Sequence, residues 1–223
     1  MRPDSLHGEA VADGYQRLRD AITSGELMPN EHLVEADLVS RFGVGRTAVR
    51  TALARLQQEG LVVHEPHRGA RVRMISESEA IELTETREVL EGLAAKRAAE
   101  RATLSQVADL WDLVDQMTAL VSCGDLLRYS GVNAILHAYI LDISGHETVQ
   151  KLLAALQAQM VRFQYRTILV PGRARVSLEE HRTLVQAIAD HDGAAAERAM
   201  RHHLENVRAA LTDATVMRPT SGG

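Results

Sequence analysis

The chain has 223 residues, 45% of them apolar and 25% charged, with a formal net charge of −5; this is an ordinary globular composition and excludes a disordered or collagen-like chain. Aromatic residues are only 3% and prolines number 5, while Ala, Leu, Glu and Arg dominate, which favours helix over a large sheet. No apolar stretch approaches the ~20 residues that span a bilayer, Met1 to Gln16 lacks the apolar core of a secretory signal, and Cys123 is the one cysteine, so a cytoplasmic, reducing location is expected.

In chain order, Ala10 to Ser24 repeats apolar positions at helical spacing until Gly25 and Pro29 stop it. Glu35 to Phe42 reads as a short helix, Gly43-Val44-Gly45 as a tight break, and Thr47 to Glu59 as a third helix with Val49, Leu53 and Leu56 on one stripe. Leu61-Val62-Val63 and Ala70-Arg71-Val72-Arg73 read as strands around the hairpin tip Pro66-His67-Arg68-Gly69. Two helices, a glycine turn, an arginine-rich helix and a basic hairpin form the layout of a winged helix-turn-helix. Charge supports that reading. Residues 41–73 carry seven arginines against two acids, whereas residues 75–223 carry 15 basic and 20 acidic side chains. A basic patch on an acidic protein is the footprint of a polyanion site; a solvated basic face is the alternative. The candidate contacts to double-stranded DNA are Arg46, Thr47, Arg50 and Arg55 on the third helix and Arg68 and Gly69 on the wing. Arg46 and Arg50 share one side of the helix, and Thr47 lies near its N-terminus, where backbone N–H groups favour a phosphate.

The run Leu33-x-Glu35-x-x-Leu38-x-x-x-Phe42-Gly43-Val44-x-Arg46-Thr47-x-Val49-Arg50-x-Ala52-Leu53-x-Arg55-Leu56-x-x-Glu59-Gly60-Leu61-Val62, followed by Pro66-x-Arg68-Gly69-Ala70-x-Val72, resembles the DNA-binding domain of GntR-family bacterial transcription regulators. Gly45 departs from the serine or threonine that usually opens the recognition helix, which removes a side-chain cap. Ala48 replaces a frequent proline, and Ala36 stands where some relatives have arginine; these departures bear on which operator is read.

From Ile75 onward the pattern is helical. Ser76-x-x-Glu79 is a capping-box start, and helices are expected at about 77–101, 104–122, 125–143, 147–169, 177–191 and 194–213. The expected fold is therefore mainly α: a winged helix-turn-helix over 1–75, an antiparallel six-helix bundle over 76–215, and a frayed polar tail over 216–223. Polar residues occupy core positions of this bundle. Arg87 falls on the stripe of Leu83, Leu90 and Leu93. Asn133 and His137, four apart, share a face with Leu126, Ile140 and Leu141. His181 lies between Leu178 and Val185, and His203 among Ala199, Val207 and Leu211; the same stripe selects His203 over its neighbour His202. Each alone reads as a satisfied core residue. Three inward histidines with an amide one turn from the first suit a divalent transition metal of the zinc, nickel or manganese class. Arg87 fits a carboxylate of a small acidic effector, and a buried pair with Glu91 is the alternative.

Residues 77–213 resemble the FCD ligand-binding domain of the FadR-type branch of the GntR family, in its six-helix, VanR-like variant, through Arg87-x-x-x-Glu91, Asn133-x-x-x-His137, Ser144-Gly145-His146, Glu180-His181-x-x-Leu184-x-x-Ala187-Ile188 and His203-Leu204. The resemblance implies a metal held by an Asp and three His, at Asn133, His137, His181 and His203 here. An amide for the carboxylate leaves the site with about +2 charge, weakening metal binding and strengthening attraction for an anion; whether Asn133 ligates directly, through water or not at all stays open. The implied protein is a dimeric repressor on an inverted-repeat operator, controlled by a small carboxylate, with no membrane partner and no catalytic residues. A metal-free carboxylate pocket and, more remotely, a metal-dependent hydrolase are the competing readings.

Overall fold

In the computed structural model, which describes residues 3–65 and 69–216, the chain divides into two compact units, Met1–Ile75 and Ser76–Gly223. The first contains α1 (Pro3–Ser24), β1 (His32–Leu33), α2 (Glu35–Phe42), α3 (Arg46–Gln58), β2 (Val62–Glu65) and β3 (Gly69–Val72). α3 buries Ala48, Val49, Ala52, Leu53 and Leu56 and packs on α1, whose Leu18 and Ala21 are buried. Gly43, at φ +65°, ends α2 with its N–H on the carbonyl of Val39, a left-handed conformation that suits glycine. Gly45 precedes α3 with no side-chain cap, as its lack of a hydroxyl dictates.

Strand order is β1-β3-β2, antiparallel throughout, with Leu33 opposite Ala70 and Val62 opposite Val72. β1 was not expected: two residues show no alternation for a periodicity argument to detect. It forms because β3 needs a partner on its free edge, and Val72 N–H donates to the carbonyl of Glu31 beside it. α1 also begins at Pro3, well before Ala10, consistent with the tolerance of proline in a first helical turn. The hairpin tip with Arg68, and the tail from 217, lie outside the described residues.

The second unit contains α4 (Glu77–Arg101), α5 (Leu104–Cys123), α6 (Leu126–Ser144), α7 (Glu147–Ile168), α8 (Arg173–Ala189) and α9 (Gly193–Val216). Ser76 caps α4 through Glu79 N–H, and Thr103 with Gln106 forms a full capping box on α5. α4 packs against α6, α7, α8 and α9, and α5 against α6 and α8. The core joins Leu110, Val114, Met117, Leu136, Ile140, Leu184, Ile188 and Leu204, each such side chain stabilising the fold by roughly 1.5–3 kcal/mol of apolar burial. α8 starts directly after Gly172, a turn before the expected Ser177, and so carries Arg173 as well as Ser177 into the interior, where both are buried. Among the described residues no helix is long and apolar enough to cross a membrane.

Candidate DNA interface and three-histidine centre

On α3, Arg46, Thr47 and Arg50 are exposed. Arg50 meets α2: its Nε donates to both oxygens of Glu35, at 3.0 and 2.8 Å, while its side chain stays 69% exposed. Arg55 belongs elsewhere. It lies about 180° around α3 from Arg46, with its guanidinium carbon 3.7 Å from the centre of the Tyr15 ring and its Nε on Glu59 at 3.3 Å. Stacked on the Tyr15 ring of α1, Arg55 lies on a different side of α3 from Arg46, with its side chain 58% exposed. Gly69 opens β3 at φ +78°; Arg68 beside it lies outside the described residues.

In the helical unit, α6, α8 and α9 bring His137, His181 and His203 together. One nitrogen from each lies within 4.8 Å of the others, and all three residues are buried. Nε2 of His137 stands 3.1 Å from Nε2 of His181, close to the ~3.3 Å that separates two nitrogens sharing a tetrahedral ion at ~2.0 Å. Nδ1 of His137 meets Oε2 of Glu91 at 2.7 Å, and Nδ1 of His203 meets Oε2 of Glu180 at 2.6 Å. An ionised carboxylate only accepts, so each Nδ1 donates and each Nε2 keeps its lone pair. His202, next in sequence, is exposed.

The carboxylates are themselves paired. Arg87 Nε donates to Glu91 Oε1 at 2.7 Å, with both side chains buried. Burial pushes Glu91 up, but Arg87 and then His137 outweigh it and hold its carboxyl at about 2. Arg87 thus makes the pair with Glu91, one helical turn away, that its spacing offered as the alternative, through Nε alone. On α8, Arg173 Nη2 donates to Glu180 Oε2 at 2.9 Å, and Asn206 Nδ2 donates to Oε1 at 2.8 Å. Burial, then His203 and His137, drives His181 well below 6.5; burial, then His137 and Arg173, does the same to His203. Neutral imidazoles are what a metal requires.

Asn133, one turn before His137, leaves its buried Oδ1 without a hydrogen-bond partner, as does Nδ1 of His181. The unpartnered amide oxygen, one turn from His137, fits a missing coordination partner. A small cleft lined by Leu141, Leu153, Gln157 and Met200 reaches Glu91 and His137. Sequence reasoning assigned no site role to Glu180 or Arg173. The available signal was Glu180 adjoining His181.

A basic helix-turn-helix together with a polar-cored helical unit is the make-up of one class of DNA-binding transcription regulator. Residues 12–72 match the model of bacterial regulatory proteins of the gntR family and residues 82–206 match the FCD domain. The chain belongs to the GntR family of bacterial regulators, with an FCD domain; it is a DNA-binding transcription regulator and not an enzyme. It is 28% identical over 193 residues to the HTH-type transcriptional repressor RspR of Escherichia coli (strain K12), covering 86% of this chain and 85% of that one. It is 30% identical over 196 residues to an HTH-type transcriptional regulator in an unstable DNA locus of Streptomyces ambofaciens, covering 87% and 82%. The solved structure of E. coli McbR/YncC shares the fold, with a TM-score of 0.76 at 21% identity over 92% of this chain and 97% of that one.

Proposed function

We propose that this regulator is a homodimeric repressor that binds an inverted-repeat operator and releases it when the helical unit takes up a small organic acid at a divalent transition metal. Arg46 and Arg50 supply the arms for phosphates or guanine edges, Thr47 meets a phosphate at the start of α3, and Arg68 and Gly69 extend the contact through the wing. The name of RspR as a repressor supports repression here.

The observation that carries the sensor reading is the meeting of three buried imidazoles from three helices, two of them braced by buried carboxylates. His137, His181 and His203 would hold the ion, of the zinc, nickel or manganese class, with the Asn133 amide oxygen beside them; a bound ion supplies coordination positions open to a carboxylate. Effector and operator must then be coupled by about 1–3 kcal/mol, reciprocally. A metal-free carboxylate pocket is the second reading, favoured by the 3.1 Å His137–His181 contact, which one neutral imidazole donating to the other also satisfies.

Elemental analysis of purified wild type and His181→Ala separates them. About one metal per chain, lost in the variant, supports the centre; equal content in both overturns it. Titration onto the protein's own upstream DNA with and without candidate acids tests the rest, and no binding to any segment at low salt ends the operator reading.

A further inference from the structure

A cleft of about 520 Å³ separates α3 from the three-stranded sheet. Its floor is apolar, with Leu53, Val62 and Ala70 all buried. Its rims are polar. On one side Arg50, Ala54 and Gln57, at i, i+4 and i+7, form a single exposed stripe of α3, and the small Ala54 leaves the middle of that stripe open. On the other side stands His64 of β2, also exposed. His64 pairs with Ala70 across the ladder and lies two residues beyond Val62, so its imidazole leaves the sheet on the face that forms the floor.

Among the described residues neither Gln57 nor His64 has a hydrogen-bond or ion-pair partner for its side chain. Arg50 gives Nε to Glu35 and has four further N–H groups. Both rims therefore carry donors. A recognition helix about 10–12 Å across fills a major groove about 12 Å wide, so the two sugar-phosphate strands that bound the groove run along its flanks. On the sheet side of α3 such a strand meets this cleft. The chemistry matches, because a DNA strand alternates anionic phosphates with C–H-edged deoxyribose rings, and the cleft sets donors above an apolar floor.

We propose that the cleft seats one strand of the operator backbone, with Gln57 Nε2 and an imidazole N–H of His64 donating to its phosphates. These contacts add to Arg46, Thr47 and Arg50, and they rest on α3 being the helix that enters the groove. Phosphate contacts hold register but carry no sequence information, so the cleft sets affinity for DNA and not the choice of operator.

The test is an anisotropy titration of the full-length protein with two duplexes of equal length, one from its own upstream DNA and one of random sequence. Gln57→Ala/His64→Ala should weaken binding to both by about tenfold or more, as loss of hydrogen bonds to a charged group implies. The ratio between the two duplexes should stay within about twofold of wild type. Both residues are exposed, so the double variant should melt with the wild type. Phosphate ethylation interference on the upstream duplex should lose, in the double variant, at least one position that blocks wild-type binding. Wild-type affinity in the double variant, an unchanged set of blocking phosphates, or a loss confined to the upstream duplex, which would mean base-edge readout, overturns the cleft contact. Arg46→Ala is the control on α3: unchanged binding in it overturns the recognition-helix reading and the cleft together, whereas weakened binding in Arg46→Ala with none in the double variant overturns the cleft alone.

Discussion

Glu180 and His203 meet across 23 positions of sequence through a 2.6 Å contact between a carboxylate oxygen and Nδ1. Glu91 and His137 repeat the relationship at 2.7 Å. In both pairs the carboxylate accepts from Nδ1 and so fixes the tautomer, the arrangement expected around a metal-bound imidazole.

If those carboxylates act through the histidines, neutralising one of them weakens metal binding without removing a ligand. Glu180→Gln should lower metal affinity about 10–100-fold in competition with a chromophoric chelator, while His181→Ala abolishes stoichiometric uptake. Unchanged affinity in Glu180→Gln would show the contact to be packing only.

Stability of the metal-free protein should depend on pH in a stated direction. His181 and His203 have folded pKa values well below 6.5, so below pH 6.5 the unfolded chain binds protons that the folded chain refuses. Stability therefore falls as pH drops below about 6.5, by up to ~1.4 kcal/mol per unit for each histidine. Chelator-stripped protein should melt lower at pH 5.5 than at 7.5, and the slope should flatten in His181→Ala/His203→Ala. The depressed Glu91 acts lower on the scale: its contribution is present above 4.5 and is lost as pH falls toward about 2. An equal slope in wild type and double variant would contradict the histidine assignment.

At the DNA face, Glu35 places a carboxylate against Arg50. The pair is exposed, so its worth to stability is at most about 1 kcal/mol, but its charge opposes phosphate. Glu35→Ala should raise affinity for random DNA by about two- to fivefold, within that energy range, and reduce discrimination between operator and random sequence, as Arg50 is released from Glu35. Arg46→Ala should weaken binding and reduce the salt slope by about 1. Anisotropy titrations at several salt concentrations check both, and a Glu35→Ala protein that binds random DNA more weakly would reverse the argument.

Gly45 offers a stabilising change. Its φ of −68° and ψ of 153° suit any residue, and an added Cβ would meet nothing within 4 Å. Gly45→Ser supplies the missing cap on α3 and should add a few tenths of a kcal/mol, a rise of about 1–2 °C in melting temperature. A lower melting temperature would show that the serine oxygen fails to reach the helix.

Much of the architecture could be read before any coordinates. The stripe Val49, Leu53, Leu56 buries itself on α3, and Ser76, Thr103, Gly124 and Gly145 all stand at helix boundaries, because caps and 3.6-residue periodicity are local effects. The choice of His203 over His202 followed from the same periodicity. Two misplacements had local causes as well: β1 is too short to carry a pattern, and α8 begins where Gly172 releases the chain.

Periodicity tells which face of a helix is inward, but not which helices meet there or how charge is shared among them. Arg87 and Arg55 show the difference. Both are arginines on amphipathic helices; the four-residue spacing offered Glu91 as a partner for Arg87 beside other roles, and nothing along the chain pointed to Tyr15 as a partner for Arg55. Burial of a charge is decided by partners brought in from distant segments, as Glu91 reaches His137 across 46 positions. The run of residues therefore marks the head, the helical unit and its three inward histidines; three-dimensional convergence settles the bracing by Glu91 and Glu180, because desolvation and pairing are properties of the assembled interior.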